Sequence, residues 1–242
     1  MKLFRSFGYL LLAIGTSAAV GYGQSNPSEQ APSRASSGSL QTAAEAFPKD
    51  VYPDSGNRLP LVKREEMDEY GKKVYDLFVG PQTRSLLGLQ GPYGIWLYSP
   101  RLGEHLLAEN QYLRYKTDLG QRLTELAILV TARELDNNFE WTAHEPAALK
   151  AGLEQEIIDI VKYREDTASL GEREALIIRF GRELFGKKKV SSDTFARAVH
   201  LFGKQGVVEL TILMGNYASI ASVINAFDLQ LRPDQKPLLP MP

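Results

Sequence analysis

Beyond residue 60, apolar residues recur at intervals of three and four, and no stretch sustains alternation at every second position. A chain patterned this way can bury its apolar stripes only by packing helix on helix, so the expected fold class is all-α, with about seven to eight helices. Met67, Val74 and Phe78 mark a stripe over 65–79, closed by Gly80-Pro81. Ser99-Pro100 reads as a cap with proline in the first turn, opening a helix through Leu102, Leu106, Leu107 and Leu113. Thr117-Asp118 reads as the cap of a helix over 119–135. That helix holds Leu123, Leu126, Ala127, Ile128, Leu129 and Val130 and is apolar nearly all round, which predicts a central, buried position. Further helices are expected over 137–151, ended by Gly152, and over 154–163, 170–185, 192–202 (closed by Gly203) and 207–227.

The first 23 residues differ in kind. Lys2 and Arg5 precede an apolar run from Phe7 to Val20 and then small residues, the layout of a signal peptide over 1–23. Gly15, Thr16 and Ser17 interrupt that run, which makes it a poor permanent membrane span. Residues 24–47 are rich in Ser, Ala, Gln and Pro. Such a stretch buries too little surface to offset its chain entropy and reads as a disordered tether, leaving 48–242 for the folded domain. The expected location is therefore periplasmic or secreted, in a bacterium, with no stable membrane insertion after the leader is cleaved.

Composition removes several function classes. The chain has no cysteine, hence no disulfide, thiolate ligand, cysteine nucleophile or CxxC redox pair. Its 28 Lys and Arg nearly balance 29 Asp and Glu, so it lacks the basic field that draws nucleic acid. No P-loop or GxGxxG precedes a helix, and no GxSxG occurs. Three histidines, His105, His144 and His200, are the only side chains whose ordinary pKa lies near neutrality.

Of these, His144 has the most informative surroundings. Glu140 stands four residues before it, so on a helix the two share a face and the carboxylate can orient the imidazole; a solvated surface pair has the same spacing. Glu125 is a single acid inside an apolar run, three residues after Arg122. Burial there requires a partner or a raised pKa, and an ordinary structural ion pair with Arg122 satisfies the first. Pro146 either bends the helix just past His144 or opens a second helix. Trp141 reads as a pocket wall or as core, His105 and His200 as ordinary surface or core residues, and Lys187-Lys188-Lys189 as a solvated loop.

Three segments then stand together: Arg122-Leu-Thr-Glu125-Leu-Ala-Ile-Leu-Val, Phe139-Glu140-Trp141-Thr142-Ala143-His144, and Ala148-Leu-Lys-Ala-Gly152-Leu. They resemble the carboxymuconolactone decarboxylase family, the all-helical group that includes the AhpD-like hydroperoxidases. The resemblance is close over 112–161 and looser over 65–229. In the peroxidase branch a CxxC pair lies between glutamate and histidine; Asn137 and Glu140 occupy those places here, so thiol peroxidase chemistry is not expected. Similarity to the decarboxylase branch implies a lyase without cofactor or metal, acting on a small-molecule carboxylate such as a carboxylated lactone, and a ring assembly, homotrimer or homohexamer. It implies His144 as general acid/base, Glu140 orienting it or sharing its proton, Glu125 as a second acid/base or orienting group, Arg122 or Arg133 anchoring the substrate carboxylate, and Trp141 as a pocket wall. Two other readings compete: a metal site built from Glu125, Glu140 and His144, and a non-catalytic secreted helical oligomer that binds a small acid or a partner.

Overall fold

The computed structural model describes residues 47–241. The signal peptide expected over 1–23 and, apart from Phe47, the tether expected over 24–47 lie outside the described residues. Within them the protein is all-α: eight α-helices and no strand, the only bridge being an isolated antiparallel one between Tyr52 and Asn57. The helices are α1 (Glu69–Val79), α2 (Pro92–Trp96), α3 (Pro100–Tyr115), α4 (Gln121–Glu134), α5 (Asn138–Lys150), α6 (Gln155–Lys162), α7 (Glu172–Gly181, continued by a π-helical turn, Arg182–Gly186) and α8 (Ser192–Ala226).

Helix α4 is the centre. Every residue from Leu123 to Arg133 is buried, and α5, α6, α7 and α8 all pack on it. Leu126, Ile128 and Leu129 reach 0% exposure, each contributing about 1.5–3 kcal/mol of apolar burial. Gly181 of α7 lies so close to α4 that a Cβ there would stand 2.3 Å from Val130 Cγ1. Helix α8 is long and apolar enough to cross a bilayer, yet Leu210, Leu213, Met214, Tyr217, Ile220 and Ile224 are buried in the core. Core packing therefore accounts for its apolar character.

Local chemistry explains most boundaries. Asp68 caps α1 by accepting from Gly71 N, and Asn137 caps α5 by accepting from Glu140 N at 2.9 Å. Gly152 ends α5 at φ +86°, with Leu153 N returning to Ala148 O. One expectation needs correction: Gly120, at φ +79°, precedes α4 in place of a Thr117-Asp118 cap. The break expected at Gly203 is present as a kink inside the α8 run, at φ +69° and ψ +172°. Of the two alternatives for Pro146, the first holds: it lies inside α5. Helix α2 is too short for its periodicity to show. At Gly94, within it, a Cβ would stand 2.1 Å from Leu89 O, so only glycine lets α2 close against the preceding loop.

Candidate active site

Three helices bring charged side chains to one place, and a fourth adds a tyrosine. The Asn137 cap starts α5 so that Glu140 and His144 fall one turn apart on the same face, and both are buried, each 4% exposed. Glu125 comes from the middle of α4. Its Oε2 lies 2.7 Å from His144 Nδ1, and its Oε1 accepts from Arg114 Nη2 at 3.1 Å. Arg114, in the last turn of α3, extends a buried stripe of Gly103, Leu107 and Asn110. The Tyr217 ring of α8 meets the imidazole edge-on, at 5.0 Å between centroids.

The ionisation pattern follows from these contacts. Burial pushes the Glu125 carboxyl up, but the contacts with His144 and then Arg114 outweigh it and hold the group below its ordinary value of 4.5. An ionised Glu125 only accepts, so His144 Nδ1 carries the proton and donates it. Nε2 is then the ring nitrogen free to exchange a proton, and Glu140 Oε2 lies 3.5 Å from it, a charge contact longer than a good hydrogen bond. Burial raises the Glu140 carboxyl despite the opposing pull of His144 and Arg114, which favours its protonated form. Two acids flank one imidazole, and their environments move them in opposite directions, the pattern of a proton-handling pair.

Arg114, Glu140, His144 and Tyr217 line a narrow cavity of about 50 Å³, bordered also by Tyr93 and by the loop that carries Ser85, Leu87 and Gly88. That volume holds a few waters or the head of a small ligand. Tyr93 donates to Asn110 Oδ1 at 2.9 Å and accepts from Gln111 Nε2 at 3.0 Å, while the Asn110 amide donates to Asn216. This chain of hydrogen bonds fixes one wall.

The structure thus gathers Glu125, Glu140 and His144, while three other expected site residues lie elsewhere. Arg122 is not an anchor in the cavity. It bonds Glu174 at 2.6 Å and also Glu154, tying α4 to α7 and to the residue before α6. Arg133 bonds Pro240 O at 2.9 Å and faces Asp136, holding down the C-terminal tail. Trp141 is core, fully enclosed, with Nε1 donating to Glu145 and Lys162 Nζ 5.6 Å from its ring centroid. His105, His200 and Lys187 to Lys189 are exposed. Among the described residues no group of three or more Asp, Glu or His side chains is spaced to hold a metal ion. A cation at Glu125 would also have to displace the buried Arg114 guanidinium.

Sequence reasoning missed Arg114, Tyr217 and Tyr93. For Arg114 a signal existed, because Leu107, Asn110 and Arg114 share one stripe and the last two are polar where the pattern calls for apolar residues. No protein-family model, curated protein or solved structure matches the chain.

Proposed function

We propose that the protein is an exported lyase of the carboxymuconolactone decarboxylase type, which removes carbon dioxide from a small carboxylated lactone or related acid by proton transfer through His144, without metal or cofactor. The observation that carries this reading is the buried sequence Glu125, His144, Glu140 beside a narrow cavity. In the reaction the bond between carbon and the departing carboxylate breaks, and its electron pair enters the conjugated carbonyl system to give a dienolate. Protonated Glu140 passes its proton to His144 Nε2, which delivers it to carbon, and Glu140 takes a replacement proton from water. Glu125 keeps Nδ1 protonated and stabilises the imidazolium whenever it forms. The apolar wall of Phe139 and Ile220 disfavours the charged ground state relative to the delocalised one. The ring assembly and the periplasmic or secreted location belong to the same proposal and rest on the resemblance and on the leader.

The test is turnover of carboxylated lactones and vinylogous acids in deuterated water, following both carbon dioxide release and deuterium incorporation. Release with one deuteron placed on carbon, abolished with His144→Ala, supports the reading. Release that survives His144→Ala overturns it. Binding without turnover, which the narrowness of the cavity favours, predicts neither release nor exchange.

A further inference from the structure

Arg114 lines the cavity and is paired with Glu125 through only one of its nitrogens. Its side chain is 5% exposed. Of its guanidinium nitrogens only Nη2 is hydrogen-bonded, to Glu125; Nε is enclosed with no partner among the described residues, and Nη1 makes no hydrogen bond to them either. The Tyr115 ring covers one face, its centroid 4.8 Å from the guanidinium carbon, and keeps water off that side. Tyr217 lines the same cavity, and its hydroxyl makes no hydrogen bond to another described residue. Arg114 Nε is enclosed without an acceptor, while Nη1 and the Tyr217 hydroxyl are donors without a protein acceptor on residues that line the cavity, a pair that suits an acceptor arriving from outside.

We propose that Arg114 Nη1 and the Tyr217 hydroxyl form a carboxylate-binding subsite that takes one carboxylate of a small planar acid. Burial pushes the Tyr217 phenol well above its ordinary range, so it stays a donor at neutral pH. The rise of Glu140 favours its uncharged form and reduces repulsion of an anion nearby. The other walls leave Arg114 and Tyr217 as the recognising pair: Asn110 is engaged by Tyr93 and Asn216, and Phe139 and Ile220 are apolar. Only the orientation of the reacting end toward His144 rests on the lyase reading. Within that reading, the carboxylate held here is one the reaction leaves in place, because a guanidinium that stabilises a departing carboxylate raises the barrier to its loss.

The chain has only three histidines, so a histidine-labelled full-length sample gives three ring signals. Titration with crotonate is expected to shift the His144 signal saturably in the millimolar range while His105 and His200 stay in place. The neutral crotonamide should bind at least about tenfold more weakly, as should crotonate to Arg114→Lys, the scale of one charge-assisted hydrogen bond. Tyr217→Phe, which keeps the ring packing, should weaken crotonate several-fold with an unchanged melting temperature. Crotonamide binding as tightly as crotonate overturns the subsite, and so does parental affinity in folded Tyr217→Phe together with Arg114→Lys. Saturable, Arg114-dependent binding by a protein that releases no carbon dioxide supports the subsite and removes the lyase reading. Turnover by Arg114→Lys at the parental KM overturns the subsite and spares the lyase.

Discussion

Helix α5 carries two buried charge clusters built on the same local spacing, and they do opposite things. Trp141 and Glu145, one turn apart, meet Lys162 of α6: Lys162 Nζ lies 2.8 Å from Glu145 Oε1, and Trp141 Nε1 donates to the other oxygen. That cluster is closed, each carboxylate oxygen has a donor, and neither Trp141 nor Glu145 borders the cavity. Glu140 and His144, also one turn apart, meet Glu125 and Arg114 beside open space, with donors left over. Spacing alone therefore does not distinguish a structural ion pair from a site. What distinguishes them is whether the surrounding helices satisfy every polar atom or leave some facing a cavity.

Cutting each cluster should separate the two roles. Lys162→Met leaves Glu145 charged and enclosed and should cost about 3–5 kcal/mol in urea unfolding, while the folded fraction keeps its turnover. Adding Glu145→Gln, which still accepts from Trp141, should recover most of that loss; failure to recover would mean that the closed cluster does more than hold the fold. Glu125→Gln leaves the Arg114 charge without its partner and should cost stability on the same scale, about 3–5 kcal/mol, at pH 7. Because contacts hold Glu125 below 4.5, its contribution is present above that pH and fades as pH falls through the lowered folded value. The gap between parent and variant should narrow accordingly in acid unfolding curves.

His144→Ala should lower turnover by about 10²-fold or more with helical circular dichroism unchanged. A large loss of helix instead would place the open cluster in the same structural class as the closed one. The smallest effect is expected at Glu140, with the opposite sign to Glu125. Its raised carboxyl makes the parent lose stability as pH climbs from 4.5 through the folded value, so Glu140→Gln should show a higher urea midpoint at pH 7 and no difference at pH 4. Equal midpoints at pH 7 would mean that Glu140 is not held toward its protonated form.

The helices were largely legible in the sequence because their causes are local. Stripes at intervals of three and four, the Asn137 cap and the left-handed Gly152 act within a turn or two of chain. The pairing of Glu140 with His144 was legible for the same reason. The five-residue α2 was not, since it owes its place to the contact of Gly94 with Leu89 rather than to periodicity. Nor was the fate of Arg122, one turn from Glu125 on the same helix: α4 is enclosed on all sides, so neighbouring residues face different helices, Arg122 reaching Glu154 and Glu174 while Glu125 turns to His144 and Arg114.

By itself, then, the amino-acid order determined an all-helical body, a buried central helix and an imidazole with one acid a turn away. Tertiary structure decided which guanidinium joined them: Arg114, from the preceding helix and eleven residues before Glu125, was chosen over Arg122 and Arg133, the nearer ones in sequence. The reason is geometric. Positions within a helix are fixed by its own repeat, whereas the meeting of side chains from α3, α4, α5 and α8 depends on how four surfaces interlock, which no repeat along one chain encodes.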